Sequence, residues 1–138
     1  MINKFRGEYE FLSNFYNSSV IYNGFTFPTV ENAYQAAKCK KKEIIGVFQD
    51  LTASQAKKLG NKIDLKDNWE DIKLSIMYGL LIQKFSHVDL KIKLLNTGNQ
   101  ELIEGNYWGD TFWGVCQGIG ENNLGKLLML VRKKINTV

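Results

Sequence analysis

The stretch that decides the fold runs from residue 20 to residue 38 and reads VIYNGFTFPTVENAYQAAK. Asn23-Gly24 lies between β-forming residues, and this pair is the strongest short-range signal for a β-hairpin. Thr29 follows the only proline of the chain and is a favoured N-cap residue. The sequence therefore predicts a two-stranded hairpin followed by a helix from about Val30 to Lys41.

Apolar periodicity and caps predict four more helices outward from this stretch. They begin near residue 52, near residue 69, at residue 89 and after Asn122-Asn123, and a short strand is predicted over Glu101–Glu104. Strands and helices do not alternate, which argues against a Rossmann-type sheet. The prediction is a mainly α chain with a small β hairpin or ribbon, of the α+β class, in a single domain over residues 1–138.

Composition narrows the classes of function. The net charge is +4 and the pI is near 9.0, yet Arg6 and Arg132 are the only arginines among 18 basic residues. The chain therefore has few arginines with which to read a DNA sequence. Its net positive charge is consistent with a general attraction to phosphate. His87 is the only histidine, so neither a His-rich zinc site nor any other metal site is predicted. The single histidine also argues against a Ser-His-Asp triad.

The cysteines and the amino terminus indicate the compartment. Cys39 and Cys116 form no CxxC pair, which predicts two reduced thiols, and a thiol paired with His87 as a nucleophile stays an open alternative. The amino terminus lacks the apolar core of a secretion signal, and every uncharged apolar run is too short to span a bilayer. We therefore expect a cytoplasmic protein without membrane contact.

Two polar-aromatic clusters carry the chemistry. The first surrounds Glu31 and the second, residues 106–114, surrounds Asp110. A carboxyl group beside apolar rings is desolvated, which raises its pKa, and flat rings can sandwich a base or a sugar. The clusters suggest chemistry on a nucleotide-like or glycosidic ligand. Each carboxylate also has a structural interpretation, Glu31 as a helix-dipole partner and Asp110 as an Asx-turn residue.

Two further features add candidate contacts for a ligand. Glu31, Gln35 and Lys38 are spaced to share one helix face. Either arginine, Arg6 or Arg132, could clamp a phosphate. Gly118–Gly125 matches neither GxGxxG nor a P-loop, so helix capping is the expected role of that segment.

The chain resembles the NADAR superfamily, also called YbiA-like proteins, through a set of short motifs that follow one another in order. No single motif is specific, but the ordered set is. The matching pieces are Phe11–Tyr16, Glu31–Lys38, Ala56–Gly60, Trp69, Met77, Lys84-Phe85, Leu94–Gly98, Leu102–Glu104, Trp108–Asp110, Trp113-Gly114 and Asn123–Met129.

The resemblance implies a small, mainly helical domain that hydrolyses an N-glycosidic bond without a cofactor. Some members remove ADP-ribose from guanine bases of nucleic acid, reversing a toxin's modification, and others cleave phosphoribosylamino-pyrimidine intermediates of riboflavin synthesis. Carried over by motif, the catalytic group is Glu31, Lys38 and Asp110. The substrate-binding group is Ser13, Asn14, Phe15, Trp69, Trp108 and Trp113, to which the residues themselves add Arg6 and Gln35. Asn32 stands where many members have histidine, so a mechanism that needs that histidine does not transfer.

Several alternatives stay open at this level. One carboxylate could stabilise an oxocarbenium-like sugar while the other protonates the base, or Lys38 could attack the opened sugar and form a Schiff base. Trp69 also fits an apolar helix stripe and is a core candidate. A non-catalytic module that binds ADP-ribose or NAD, or a structural accessory domain, would be an alternative to the enzyme.

Overall fold

The computed structural model describes residues 1–137, which divide into two compact units. The inner unit is Asn14–Lys84, and the terminal unit joins Met1–Ser13 to the chain from Phe85 onward. The inner unit contains β1 (Val20–Tyr22), β2 (Phe25–Phe27), α1 (Val30–Ala37), the 3₁₀ helix Lys42–Asp50, α2 (Ala53–Gly60) and α3 (Trp69–Lys84). The terminal unit contains the 3₁₀ helix Gly7–Leu12, α4 (Val88–Leu95), β3 (Gly105–Asn106), β4 (Val115–Cys116) and α5 (Asn123–Asn136).

The hairpin forms as predicted. β1 and β2 pair antiparallel with Val20 opposite Phe27 and Tyr22 opposite Phe25. Asn23 and Gly24 both have positive φ, 53° and 83°, as a type I′ turn requires. The mainly helical, α+β prediction is confirmed.

α1 begins where the sequence predicts but ends earlier. The Thr29 hydroxyl accepts a hydrogen bond from the Asn32 amide at 3.1 Å, so Thr29 is the N-cap. The prediction that the helix continues to Lys41 is wrong, because α1 ends at Ala37 and Lys38 is its C-cap. Beyond it, the Lys38 carbonyl accepts from the Lys66 amide and Cys39 pairs with Leu65, so the chain leaves the helix to pair with a distant segment.

The inner unit closes around α1. α2 begins with a complete capping box formed by Thr52 and Gln55, as predicted from residue 52 onward. α1 packs against both α2 and α3, and every residue of α1 is buried. The large, fully buried side chains of this unit are Val20, Phe27, Ile45, Phe48, Met77, Leu81 and Lys84.

The terminal unit departs from prediction at the short strand. The expected strand Glu101–Glu104 is wrong, because only Leu102 makes a β-bridge, parallel to Ile2. The Glu104 amide instead donates to the Asn122 side chain at 2.9 Å, which takes it out of any ladder. The strand pair of this unit is β3 with β4, parallel and two residues long.

Asn122 lies at the N-cap position of α5, where Asn122-Asn123 predicts the start of this helix, but its side chain makes no cap hydrogen bond. Its φ is 53°, and its amide group accepts from the Glu104 amide and donates to the Leu102 carbonyl at 3.0 Å. Asn122 therefore ties the segment before β3 to the start of α5. Among the described residues, no helix is long and apolar enough to cross a membrane.

Candidate active site

The polar face of α1 is buried. Glu31 is only 8% exposed, and Gln35 is buried beside it. Charged side chains are rarely buried to this extent unless their polar atoms are paired. We therefore expect the buried Glu31 carboxylate to have hydrogen-bond partners.

Glu31 is fixed by a backbone and a side-chain contact. Its amide donates to the Asn14 carbonyl at 3.0 Å, and its Oε2 accepts a hydrogen bond from Gln35 Nε2 at 2.6 Å. The first contact ties the start of α1 to the loop that contains Asn14. The second sets the orientation of the carboxylate through a residue one helical turn away.

The Gln35 side chain lies against a glycine of α2. Its Oε1 lies so close to Gly60 that a methyl group on that residue would overlap it. The Gln35 amide thus fills the space between Glu31 and α2. We infer that Gly60 is needed for close approach and not for an unusual φ, since Gly60 lies inside the helix.

Lys38 stands at the carboxyl end of the same helix. Its Nζ lies 5.5 Å from the centre of the Tyr34 ring. Burial lowers the pKa of the Lys38 amine below its usual range, while the charge of Glu31 opposes that shift. A larger fraction of neutral amine is available near pH 7 than for an exposed lysine, which is what amine nucleophiles need.

Asn14 presents a hydrogen-bond acceptor near Glu31. Its Nδ2 lies 3.6 Å from Met77 Sδ, and its Oδ1 is buried without a hydrogen-bond partner among residues 1–137. A buried acceptor left unpaired costs free energy, so such groups often mark sites where a ligand hydroxyl binds. The sugar hydroxyls of a nucleotide are donors of that kind.

Asn32 has a structural role in this chain. Many members of the family that the chain resembles have histidine at this position. The asparagine is fully buried, its Oδ1 accepts from the Thr29 hydroxyl, and its Nδ2 donates to the carbonyls of Phe48 and Leu51 at 2.9 and 2.7 Å. The side chain therefore holds α1 to the following 3₁₀ helix. This use of its amide leaves the site without a base at that position.

The remaining predicted contacts of the inner unit differ in exposure. Trp69 is buried with its ring 5.2 Å from that of Tyr34, which fits the core interpretation. Phe15 is exposed on the loop after Asn14. Ser13, the last residue of the first segment of the terminal unit, is the C-cap of the first 3₁₀ helix. Their roles as ligand contacts stay predictions.

Asp110 lies in the terminal unit and organises a turn. Its Oδ1 accepts from the amides of Phe112 at 3.1 Å and Trp113 at 2.9 Å, the pattern of an Asx-turn. Asn106 completes the turn, because its side chain accepts from the Asp110 amide and donates to the Asp110 carbonyl. The Asx-turn interpretation is confirmed, and a catalytic role for Asp110 stays a prediction.

The other predicted contacts of the terminal unit surround this turn. Trp113 packs edge-on against Phe112 with ring centres 4.9 Å apart. Trp108 is half exposed, and the Arg6 guanidinium lies 5.1 Å from the centre of the Tyr107 ring. The structure thus brings Asn14, Glu31, Gln35 and Lys38 together in one unit and gathers Arg6, Trp108, Asp110 and Trp113 around one loop of the other.

Sequence reasoning missed Lys84. Its side chain is fully buried at the end of α3, with Nζ 5.7 Å from the centre of the Tyr16 ring, and burial lowers its pKa to about 7. The signal was available, since Lys84 follows Met77 by seven residues and therefore continues the apolar face of α3. A lysine on such a face is a candidate neutral amine.

Neither the thiols nor the potential metal ligands of the described residues add a candidate site. Cys39 and Cys116 are free thiols, and burial raises the pKa of Cys39 to about 11, which keeps it protonated near neutral pH. Within residues 1–137, no three side chains of His, Cys, Asp or Glu group closely enough to hold a metal ion.

Comparison with known proteins identifies relatives along nearly the whole chain. A family model described as the NADAR domain matches residues 3–136. An N-glycosidase YbiA of Shigella flexneri is 34% identical over 134 residues, covering 93% of this chain and 82% of that protein. A riboflavin biosynthesis protein of Vibrio vulnificus is 35% identical over 130 residues, covering 91% of this chain. The chain spans only 35% of that longer relative.

A solved structure agrees with these matches. The NMR structure of the Escherichia coli protein YbiA superimposes with a TM-score of 0.85 at 30% identity, covering 99% of this chain and 88% of that one. The predicted resemblance to the NADAR family is confirmed. The predicted enzyme class, a hydrolase of N-glycosyl compounds, agrees with the name N-glycosidase that the YbiA relatives carry.

Proposed function

This chain belongs to the NADAR family, and from that premise we propose that it is an N-glycosidase that removes ADP-ribose from guanine in nucleic acid. The observation that carries the proposal is the interaction between the buried, oriented carboxylate of Glu31 in α1 and the charge of Lys38, which is half-buried at the C-cap of that helix. A buried carboxylate next to a lysine of lowered pKa is a typical arrangement for acid-base or covalent chemistry. Binding an anionic diphosphate would gain nothing from that carboxylate.

The pair can perform the reaction in a covalent sequence. Protonation of the ring oxygen by solvent breaks its bond to C1 and gives an iminium between C1 of the sugar and the base nitrogen. The neutral Lys38 amine adds to C1 and gives up a proton to the Glu31 carboxylate. Glu31 passes that proton to the base nitrogen, the bond between C1 and the base breaks, and a Schiff base is left on Lys38. Water then adds to that Schiff base with Glu31 as the base, and ADP-ribose and the free amine are released.

A direct sequence uses the same residues differently. Glu31 stabilises the positive charge at the sugar carbon or orients a water molecule, and Lys38 serves only as a positive charge. The lowered pKa of Lys38 favours the covalent sequence, because a lysine used only for its charge gains nothing from desolvation. Trapping experiments separate the two.

The choice of a nucleic-acid substrate is supported by charge and surface. The net charge of +4 favours a polyanion, and the terminal unit exposes Arg6 beside an aromatic side chain. The free thiols fit a reducing compartment, so we place the reaction in the cytoplasm. A second candidate is hydrolysis of a phosphoribosylamino-pyrimidine, which the similarity to the Vibrio riboflavin biosynthesis protein favours.

Product analysis tests the proposal. Native protein, Glu31→Gln and the exposed-residue control Glu43→Gln are incubated with ADP-ribosylated guanine in single-stranded DNA and, in parallel, with a phosphoribosylamino-pyrimidine. We expect ADP-ribose from the native protein and from Glu43→Gln, and none from Glu31→Gln. Cleavage of the pyrimidine alone would assign the second candidate. Binding of both substrates without cleavage over hours, measured by calorimetry and mass detection, would replace the enzyme with a binding module.

Borohydride reduction during turnover tests the covalent sequence. A mass adduct of reduced ADP-ribose is expected on Lys38 in the native protein. It should be absent from Lys38→Arg and present in Lys42→Arg, which alters an exposed lysine of the same unit. If the native protein is active but carries no adduct on Lys38, the covalent sequence is rejected and the direct sequence is retained.

A further inference from the structure

The terminal unit displays two consecutive aromatic side chains at its surface. Tyr107 is 78% exposed and Trp108 is 49% exposed. Their ring centres are 5.2 Å apart and their planes are nearly perpendicular, at 81°. Large aromatic rings leave water when a protein folds, so a pair displayed in this way indicates a surface that binds a partner.

The loop that carries these rings is held in place. Its base is formed by Asn106, whose side chain makes three hydrogen bonds, to Glu104 Oε2 and to the carbonyl and amide of Asp110. Gly109, between Trp108 and Asp110, has a φ of 87°, which a side chain rarely tolerates. The rings are thus presented by a hydrogen-bonded turn, and little ordering remains to be done on binding.

A cation completes the surface. The Arg6 guanidinium lies 5.1 Å from the centre of the Tyr107 ring. A guanidinium stacks on aromatic rings and also forms paired hydrogen bonds to phosphate. An exposed ring for stacking beside a fork for phosphate is the combination used to bind unpaired nucleotides.

We propose that Tyr107, Trp108 and Arg6 form a stacking site for an unpaired nucleobase of single-stranded nucleic acid. Tyr107 and Trp108 contact the base, and Arg6 contacts the phosphate beside it. The proposal rests on the proposed function to the extent that the bound strand is the one that carries the modified guanine. The site would make the enzyme prefer a modified strand to a modified nucleoside.

Binding of unmodified DNA tests the site without using the chemistry. Fluorescence anisotropy of a short labelled oligodeoxythymidylate is measured with native protein, Tyr107→Ala, Tyr107→Phe and Ile119→Ala, the last altering another exposed apolar residue of the terminal unit. Loss of one stacking contact should raise the Kd of Tyr107→Ala by about 5- to 100-fold. Tyr107→Phe and Ile119→Ala should bind within about twofold of native, since loss of one hydroxyl or of an uninvolved apolar side chain leaves the stacked ring in place.

Salt dependence isolates the role of Arg6. If Arg6 neutralises one phosphate, Arg6→Gln should lower the slope of log Kd against log salt by about 0.7. Quenching of Trp108 fluorescence on binding, lost in Trp108→Phe, should accompany the anisotropy change. A native protein that does not bind the strand, or a Tyr107→Ala variant that binds as native does, would overturn the proposal. An unchanged slope would remove Arg6 from the site.

Turnover separates this inference from the proposed function. On ADP-ribosylated guanine within a strand, Tyr107→Ala should raise KM by the same factor as Kd and leave kcat unchanged, because stacking acts equally on ground and transition states. On the modified nucleoside, KM should not change. An equal rise on both substrates would place Tyr107 against the ADP-ribose and overturn the inference. If the native protein binds the strand but cleaves neither substrate, the stacking site is supported and the proposed function is rejected.

Discussion

Glu31 and Asp110 look alike in the sequence, each a carboxylate between aromatic and amide residues, but the two units use them differently. Glu31 is buried and its oxygen is held by the Gln35 side chain, which lies in the same helix. Asp110 is half-buried, and its oxygen holds two backbone amides of its own turn. A shared composition therefore does not indicate a shared role. The difference lies in the hydrogen bonds: a side chain orients the Glu31 carboxylate, whereas the Asp110 carboxylate orients the backbone of its own turn.

The largest expected effect comes from neutralising each carboxylate in turn. Glu31→Gln should lower kcat by about 10²- to 10⁴-fold, the usual contribution of a positioned acid or base. Asp110→Asn keeps the Oδ1 acceptor and should retain most activity if the residue acts only in the turn. Steady-state rates with single-stranded substrate, together with thermal unfolding as a control for folding, measure both. A comparable loss in Asp110→Asn would mean that Asp110 takes part in the chemistry and would remove the contrast.

The next effect concerns the buried amine of the inner unit. The pKa of Lys84 is about 7 in the folded protein and near 10.5 when unfolded. Between these values the unfolded chain binds more protons, so the free energy of unfolding rises with pH by up to about 1.4 kcal/mol per pH unit. Below about pH 7 this contribution to the pH dependence disappears.

Denaturant unfolding from pH 6 to pH 9 measures this dependence. Lys84→Met, which keeps an unbranched side chain of nearly the same length without the amine, should be more stable than native near pH 7 and should lack the rise. The exposed-lysine control Lys62→Met should keep it. Parallel curves for native and Lys84→Met would show that the Lys84 amine is solvated in solution.

A smaller effect tests how Glu31 is oriented. Replacing a helical glycine by alanine usually stabilises a helix by about 1 kcal/mol. Gly60→Ala should instead destabilise the protein by about 1–3 kcal/mol, because the methyl group overlaps the Gln35 amide that positions Glu31. Urea unfolding and kcat are compared with those of Gly79→Ala, a helical glycine with open space around its Cα. A Gly60→Ala protein as stable and active as native would mean that Gln35 moves without consequence.

The smallest expected effect is on the Asp110 turn. Asp110→Ala removes the acceptor of two amides and should cost about 1–2 kcal/mol, whereas Asp110→Asn should cost less than half of that. Thermal unfolding gives both values. Equal costs would show that the charge of Asp110, and not its role as an acceptor, stabilises the turn.

Some features are determined by a few adjacent residues and were predicted correctly. Asn23-Gly24 gives the hairpin because both positions need positive φ, and Thr29 and Thr52 start helices because each bonds an amide three residues ahead. The shared face of Glu31, Gln35 and Lys38 follows from helical spacing. These interactions lie within one turn of chain, so local sequence suffices.

Other features depend on residues far apart in the sequence, and only the tertiary structure decided them. α1 stops at Ala37 because the chain then pairs with residues 64–66, and the Asn122 side chain binds residues 102–104 instead of an amide of α5. The fit of Gln35 against Gly60 and the burial of Lys84 likewise arise from packing between helices. Such contacts outweigh local preference because burying a polar group without a partner costs more free energy than shortening a helix or leaving a cap unmade.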